Sequence, residues 1–99
     1  MKIIITEHAR NSLFEIFQYY RFVVNLKVAH QIVSTIKGSI SKLNDNPGMG
    51  QIEPLLEELN LGHRRIISGN YKIIYRIADS IIYVTDIFDS RRNPEEMKL

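Results

Sequence analysis

Arg64, Arg76 and Arg91, with His63 beside the first of them, are the side chains of this sequence best suited to chemistry on a phosphate. A guanidinium presents a planar fork of N–H donors that grips two phosphate oxygens at once. An imidazole exchanges a proton near neutral pH. Metal-free RNA cleavage needs that combination: a base for the 2′-hydroxyl proton, cations to hold the phosphate as charge develops, and an acid for the leaving oxygen. Tyr71 and Tyr75 are further proton carriers in the same stretch. A plainer reading stands beside each residue. Arg64 and Arg65 can discourage pairing at a sheet edge, Arg76 can pair with Asp79 or Asp86, and Arg91 with Asp89. His63 can face water at a strand end, and the tyrosines can pack with only the hydroxyl at the margin. For the three arginines as a group the expectation is convergence on one face, since a surface ion pair contributes only ~0–1 kcal/mol and does not call for so many cations.

Other chemistry is excluded or unsupported. The chain has no cysteine, and His8 and His30 stand on predicted helices without a second ligand at metal spacing. Neither a metal, nor a glycine-rich phosphate loop, nor any cofactor is expected. With 13 basic and 11 acidic residues the net charge is only +2, so bulk charge does not argue for nucleic acid. Distribution is more telling: acids gather at Glu53, Glu57, Glu58, Glu95 and Glu96, while Arg64, Arg65, Lys72, Arg76, Arg91 and Arg92 lie in the C-terminal half. The 99 residues suit one domain over 1–99 with one modest core. No window reaches the ~20 apolar residues of a membrane span, and the apolar run 3–5 is too short for a signal peptide. The expected location is the cytoplasm, without a membrane partner.

Hydrophobic spacing supplies the elements that must position these residues. Residues 2–5 read as a β-branched strand. Thr6 is a good N-cap, and Ala9, Leu13, Ile16, Phe17, Tyr20 and Val24 recur at helical spacing over 7–24. Asn25 caps a second helix in which Ala29, Ile32, Val33, Ile36, Ile40 and Leu43 repeat the rhythm, with Gly38 as a weak point. So short a connection makes the two helices an antiparallel hairpin. The turn chemistry of 44–48 ends it. Residues 49–62 read as one helical turn or a packed loop. Three strands follow, over 63–68, 71–78 and 81–88, joined by turns at Gly69-Asn70 and 78–80 and therefore antiparallel. In the middle strand Tyr71, Ile73, Tyr75 and Ile77 share one face, and Lys72, Ile74 and Arg76 the other. The fold class is α+β, in the order β-α-α-β-β-β, a helical hairpin packed on a small, mainly antiparallel sheet.

Several pieces in this order resemble the RelE/ParE toxins of bacterial type II toxin–antitoxin modules. They are the Ala9…Leu13…Ile16 helix, Leu43…Pro47…Gly50, His63-Arg64-Arg65, the run from Gly69 to Arg76, and the run from Phe88 to Pro94. The resemblance implies a small toxin held inactive by a cognate antitoxin. It also implies one of two targets: mRNA cleaved on the ribosome, or DNA gyrase poisoned. By the same resemblance Arg64 matches the arginine opening the family's second strand, Arg91 the one after the last strand, and Arg76 a frequent basic position. Ribonuclease members commonly place a tyrosine or histidine beyond that last arginine, and 93–99 has neither. This favours the gyrase-directed branch. The alternatives are a ribosome-dependent mRNA endoribonuclease, and a non-toxic module whose basic sheet face docks nucleic acid or an acidic protein.

The first helix carries more apolar residues near its end than one stripe requires. Tyr19, Tyr20, Phe22 and Val23 either close the hairpin tip internally or leave a patch that a partner covers, the antitoxin's C-terminal segment being the expected one.

Overall fold

The structure is a computed structural model that describes residues 1–97. Its elements follow the predicted order. Strand β1 (Lys2–Ile5) leads into helices α1 (Glu7–Val23) and α2 (Leu26–Ser41), and a single 3₁₀ turn at Lys42–Asn44 ends the hairpin. Strands β3 (Arg64–Ser68), β4 (Tyr71–Ala78) and β5 (Ile81–Asp89) complete the sheet. The stretch 49–62 contains a two-residue strand β2 (Gln51–Ile52) and a 3₁₀ segment (Pro54–Leu59), finer structure than periodicity could reveal.

Both helices begin at side-chain caps. Thr6 Oγ1 accepts a hydrogen bond from the Ala9 amide at 3.2 Å, and Asn25 Oδ1 accepts one from the Val28 amide at 2.8 Å. With only Val24 and Asn25 between the helices, Asn25 sets where the chain reverses. Asn25→Ala should therefore lower unfolding stability by about 1 kcal/mol, read as a shifted urea midpoint with an unchanged slope.

The strand order is β1-β5-β4-β3-β2. All neighbours are antiparallel except β1, which runs parallel to β5 with Lys2 opposite Ile81 and Ile5 opposite Val84. The helices cover one side. There Ala9, Leu13, Ile36 and Ile40 meet Ile73, Tyr75 and Val84 in the main core. A register shift places Tyr75 opposite Val84 but Ile74 opposite Asp86, leaving Thr85 as a bulge in β5. The extra residue reverses the alternation. Ile87 joins the core under the helices, and Phe88 turns to the far side, where it packs with Leu56, Ile74 and Met97.

Candidate functional site

The three arginines do not meet. Arg64 stands directly opposite Tyr75, on the helix side, and its Nη1 donates to the Gly50 carbonyl at 2.7 Å. Arg76 follows Tyr75 on β4 and so faces the far side, stacked 5.7 Å from the centre of the Tyr83 ring. Arg91 is exposed in the turn after β5, near Tyr71, which pairs with Asp89. Along β4 that is four residues from the position opposite Arg64, or about 13 Å. The expected convergence fails because alternation along β4 separates Arg64 from Arg76, and strand length separates both from Arg91.

Arg91 is engaged by Asp89. Its Nε donates to Oδ1 at 2.9 Å and its Nη2 to Oδ2 at 2.7 Å, a two-pronged contact, and its backbone amide also donates to Oδ1. The hydrogen bond to Asp89 raises the guanidinium's affinity for its proton, and in return Arg91 holds the Asp89 carboxyl below its ordinary 3.8. A depressed carboxyl stabilises the fold above its unfolded value and loses that contribution as pH falls through the folded one. Asp89→Asn should therefore flatten the acid limb of a stability–pH curve below about pH 4 and leave its neutral limb parallel to wild type.

The other proton candidates are buried. His63 is 2% exposed rather than at the surface, and its carbonyl accepts from the Glu53 amide at 2.9 Å. Tyr75 is fully buried. Its hydroxyl donates to the Pro47 carbonyl at 2.8 Å and accepts from the Gly50 amide at 2.9 Å, tying the 47–50 loop to the sheet. Tyr71 is buried too, and burial, then its hydrogen bond with Tyr20, pushes its hydroxyl pKa well up. His8 Nε2 lies 3.1 Å from Oδ1 of the buried Asp86, which also accepts from Ser12 Oγ at 3.3 Å. Among the described residues no group of three or more possible ligands could hold a metal ion.

The far side of the sheet holds what sequence reasoning missed. Glu53 is fully buried there, with Arg65 Nη1 3.1 Å and Lys72 Nζ 2.9 Å from its two oxygens. Nothing local marks it out. It precedes Pro54 in an acid-rich stretch that reads as solvated.

The hairpin tip is apolar and open. Phe22 is 80% exposed, and Tyr19, Val23, Val24 and Leu26 are each at least half exposed. Tyr20 is the half-buried member of the set. It packs against the main core, with its hydroxyl 3.5 Å from that of Tyr71, because it lies on the stripe that faces the sheet. Beside the tip, a groove of about 400 Å³ runs between α1 and the end of β5, lined among others by Ile16, Tyr19, Tyr71, Ile87 and Arg91.

A family model described as the ParE toxin of type II toxin–antitoxin system, parDE, matches residues 3–94. The chain belongs to the ParE toxin family. Among solved structures it is similar to a chromosomal ParDE toxin–antitoxin system from P. aeruginosa, with a TM-score of 0.78 and 19% identity over 90% of this chain and 95% of that one. At that identity the likeness establishes the shared fold. No curated protein is similar enough in sequence to count as a match. Membership makes the chain the toxin component of a type II module, with a cognate antitoxin as partner. No helix among the described residues is long and apolar enough to cross a membrane.

Proposed function

We propose that this ParE-family toxin arrests growth by acting on DNA gyrase, in the cytoplasm, and does not cut mRNA. The observation that carries this reading is the dispersal of Arg64, Arg76 and Arg91 over two faces of the sheet. RNA cleavage needs cations gathered around one phosphate with a proton carrier beside them. Here His63 and Tyr75 are buried, and the Tyr71 hydroxyl is pushed away from the useful range. Residues 93–97 add neither histidine nor tyrosine. What the molecule offers a target is surface, and surface suits binding to a protein.

With purified protein and gyrase, supercoiling should be inhibited and gyrase-linked DNA breaks should accumulate. Translating ribosomes should yield no new mRNA ends. Ribosome-dependent cuts abolished by Arg64→Ala would overturn the proposal.

The same reading places the antitoxin on the hairpin tip. Tyr19, Phe22 and Val23, extended by Val24 and Leu26, form an apolar surface of the kind a monomer rarely leaves open. An amphipathic segment that folds on binding would cover it.

A further inference from the structure

Arg65, Lys72 and Arg76 surround Ile74 on the face turned away from the helices. Lys72 and Arg76 flank it along β4, and Arg65 lies directly opposite it on β3. Arg65 and Lys72 each give one donor to one oxygen of Glu53, at 3.1 and 2.9 Å, from two adjacent strands. Two cations that take one oxygen each from the same small anion make the geometry that holds the two non-bridging oxygens of a phosphodiester. Glu53 therefore occupies a formed anion site. The chain has filled it with its own carboxylate.

Glu53 arrives on the segment 53–61, which lies across this face as a strap. Beyond the two ion pairs of Glu53, its attachments are few. The Glu53 amide donates to the His63 carbonyl, and Leu56 packs with Ile74, Phe88 and Met97. Leu55, Leu59 and Leu61 stand exposed instead of anchoring it. A segment with so few buried contacts opens at a free energy well below that of the whole domain. The side chains of Arg65 and Lys72 are already 23% and 21% exposed, so the cradle lies just under the surface. Next to it, Tyr83 lies under the Arg76 guanidinium as an aromatic plate.

We propose that Arg65 and Lys72, with Arg76 beside them, form a phosphodiester cradle for single-stranded nucleic acid, kept closed by Glu53 on the 53–61 strap. A single strand suits the site because cations next to an aromatic plate are what a strand needs for its backbone and a base. The proposal goes beyond the toxin assignment and does not depend on which target the toxin has.

Glu53→Gln keeps the shape of the side chain and removes its charge. With a fluorescently labelled oligouridylate at low salt, the variant should bind about tenfold tighter than wild type, with a slope of log affinity against log salt steeper by about 0.7, as one added phosphate contact requires. Adding Arg65→Gln and Lys72→Gln should abolish the gain. A folded Glu53→Gln variant that binds no tighter, or a triple variant that keeps the gain, would overturn the proposal. Equal or tighter binding of duplex DNA or of a poly-glutamate peptide would overturn the single-strand assignment. If Glu53→Gln does not fold, the wild-type chain decides. Oligouridylate at low salt should accelerate hydrogen exchange at the Glu53 and Leu56 amides, whereas absent binding or unchanged exchange refutes strap displacement.

Discussion

Gly50→Ala is expected to destabilise the domain by about 3 kcal/mol, at the upper end of what overpacking costs. A Cβ at this position would stand 2.6 Å from the Tyr75 hydroxyl, 2.8 Å from its ring and 2.7 Å from the Arg65 carbonyl. The first two belong to a fully buried side chain whose hydroxyl is already bonded on both sides, and the third is strand backbone. None can move without breaking the loop-to-sheet tie. The check is a urea or thermal midpoint read by circular dichroism. Tyr75→Phe should itself destabilise, by leaving the Gly50 amide and Pro47 carbonyl without their partner. The double variant should then be more stable than the sum of the two losses predicts, because the hydroxyl that clashes is gone. Strict additivity would show that Gly50 is not needed for the close approach to Tyr75.

Phe22→Asp should separate antitoxin recognition from folding. Phe22 is so exposed that the substitution should move stability by no more than about 0.5 kcal/mol. A central aromatic anchor at an interface, by contrast, is worth about 2–4 kcal/mol, so affinity for the antitoxin should fall by at least about 30-fold. Cells expressing the variant should arrest even with the antitoxin co-expressed, whereas wild type is rescued. Tyr20→Ala provides the contrast, since this residue packs on the core and should lose thermal stability first. Rescue of Phe22→Asp as complete as wild type would move the antitoxin off the hairpin tip.

Much of the architecture was legible because it rests on spacing and punctuation. Thr6 and Asn25 both cap as their types suggest, and the three-four apolar rhythm marks the helix face that meets the sheet. Alternation in β4 correctly set Tyr71, Ile73 and Tyr75 on the core side and Ile74 on the other. The β5 bulge at Thr85 left no comparable mark, since a register shift depends on the partner strand and not on local pattern. The site was harder for the same reason. Placing Arg64 and Arg76 on opposite faces requires pairing Arg64 with Tyr75, a relation between strands. Glu53 was illegible because burial of a carboxylate is decided by two cations distant in sequence, Arg65 and Lys72. The hairpin-tip residues Phe22 and Val23 stood out by being superfluous to the stripe, whereas Tyr20 sits on the stripe itself.

Among the described residues, the second place from the edge of the sheet belongs to the strand that comes latest in the chain. β5 lies between β1, at residues 2–5, and β4, so residues 2–5 have no strand partner until 81–84 exist. A nascent polypeptide that stops at residue 80 has two helices and no finished surface beneath them. Such distant closures also form slowly, because the loop they join is long. The surface beneath the helices is thus unfinished until residues 81–89 have been made.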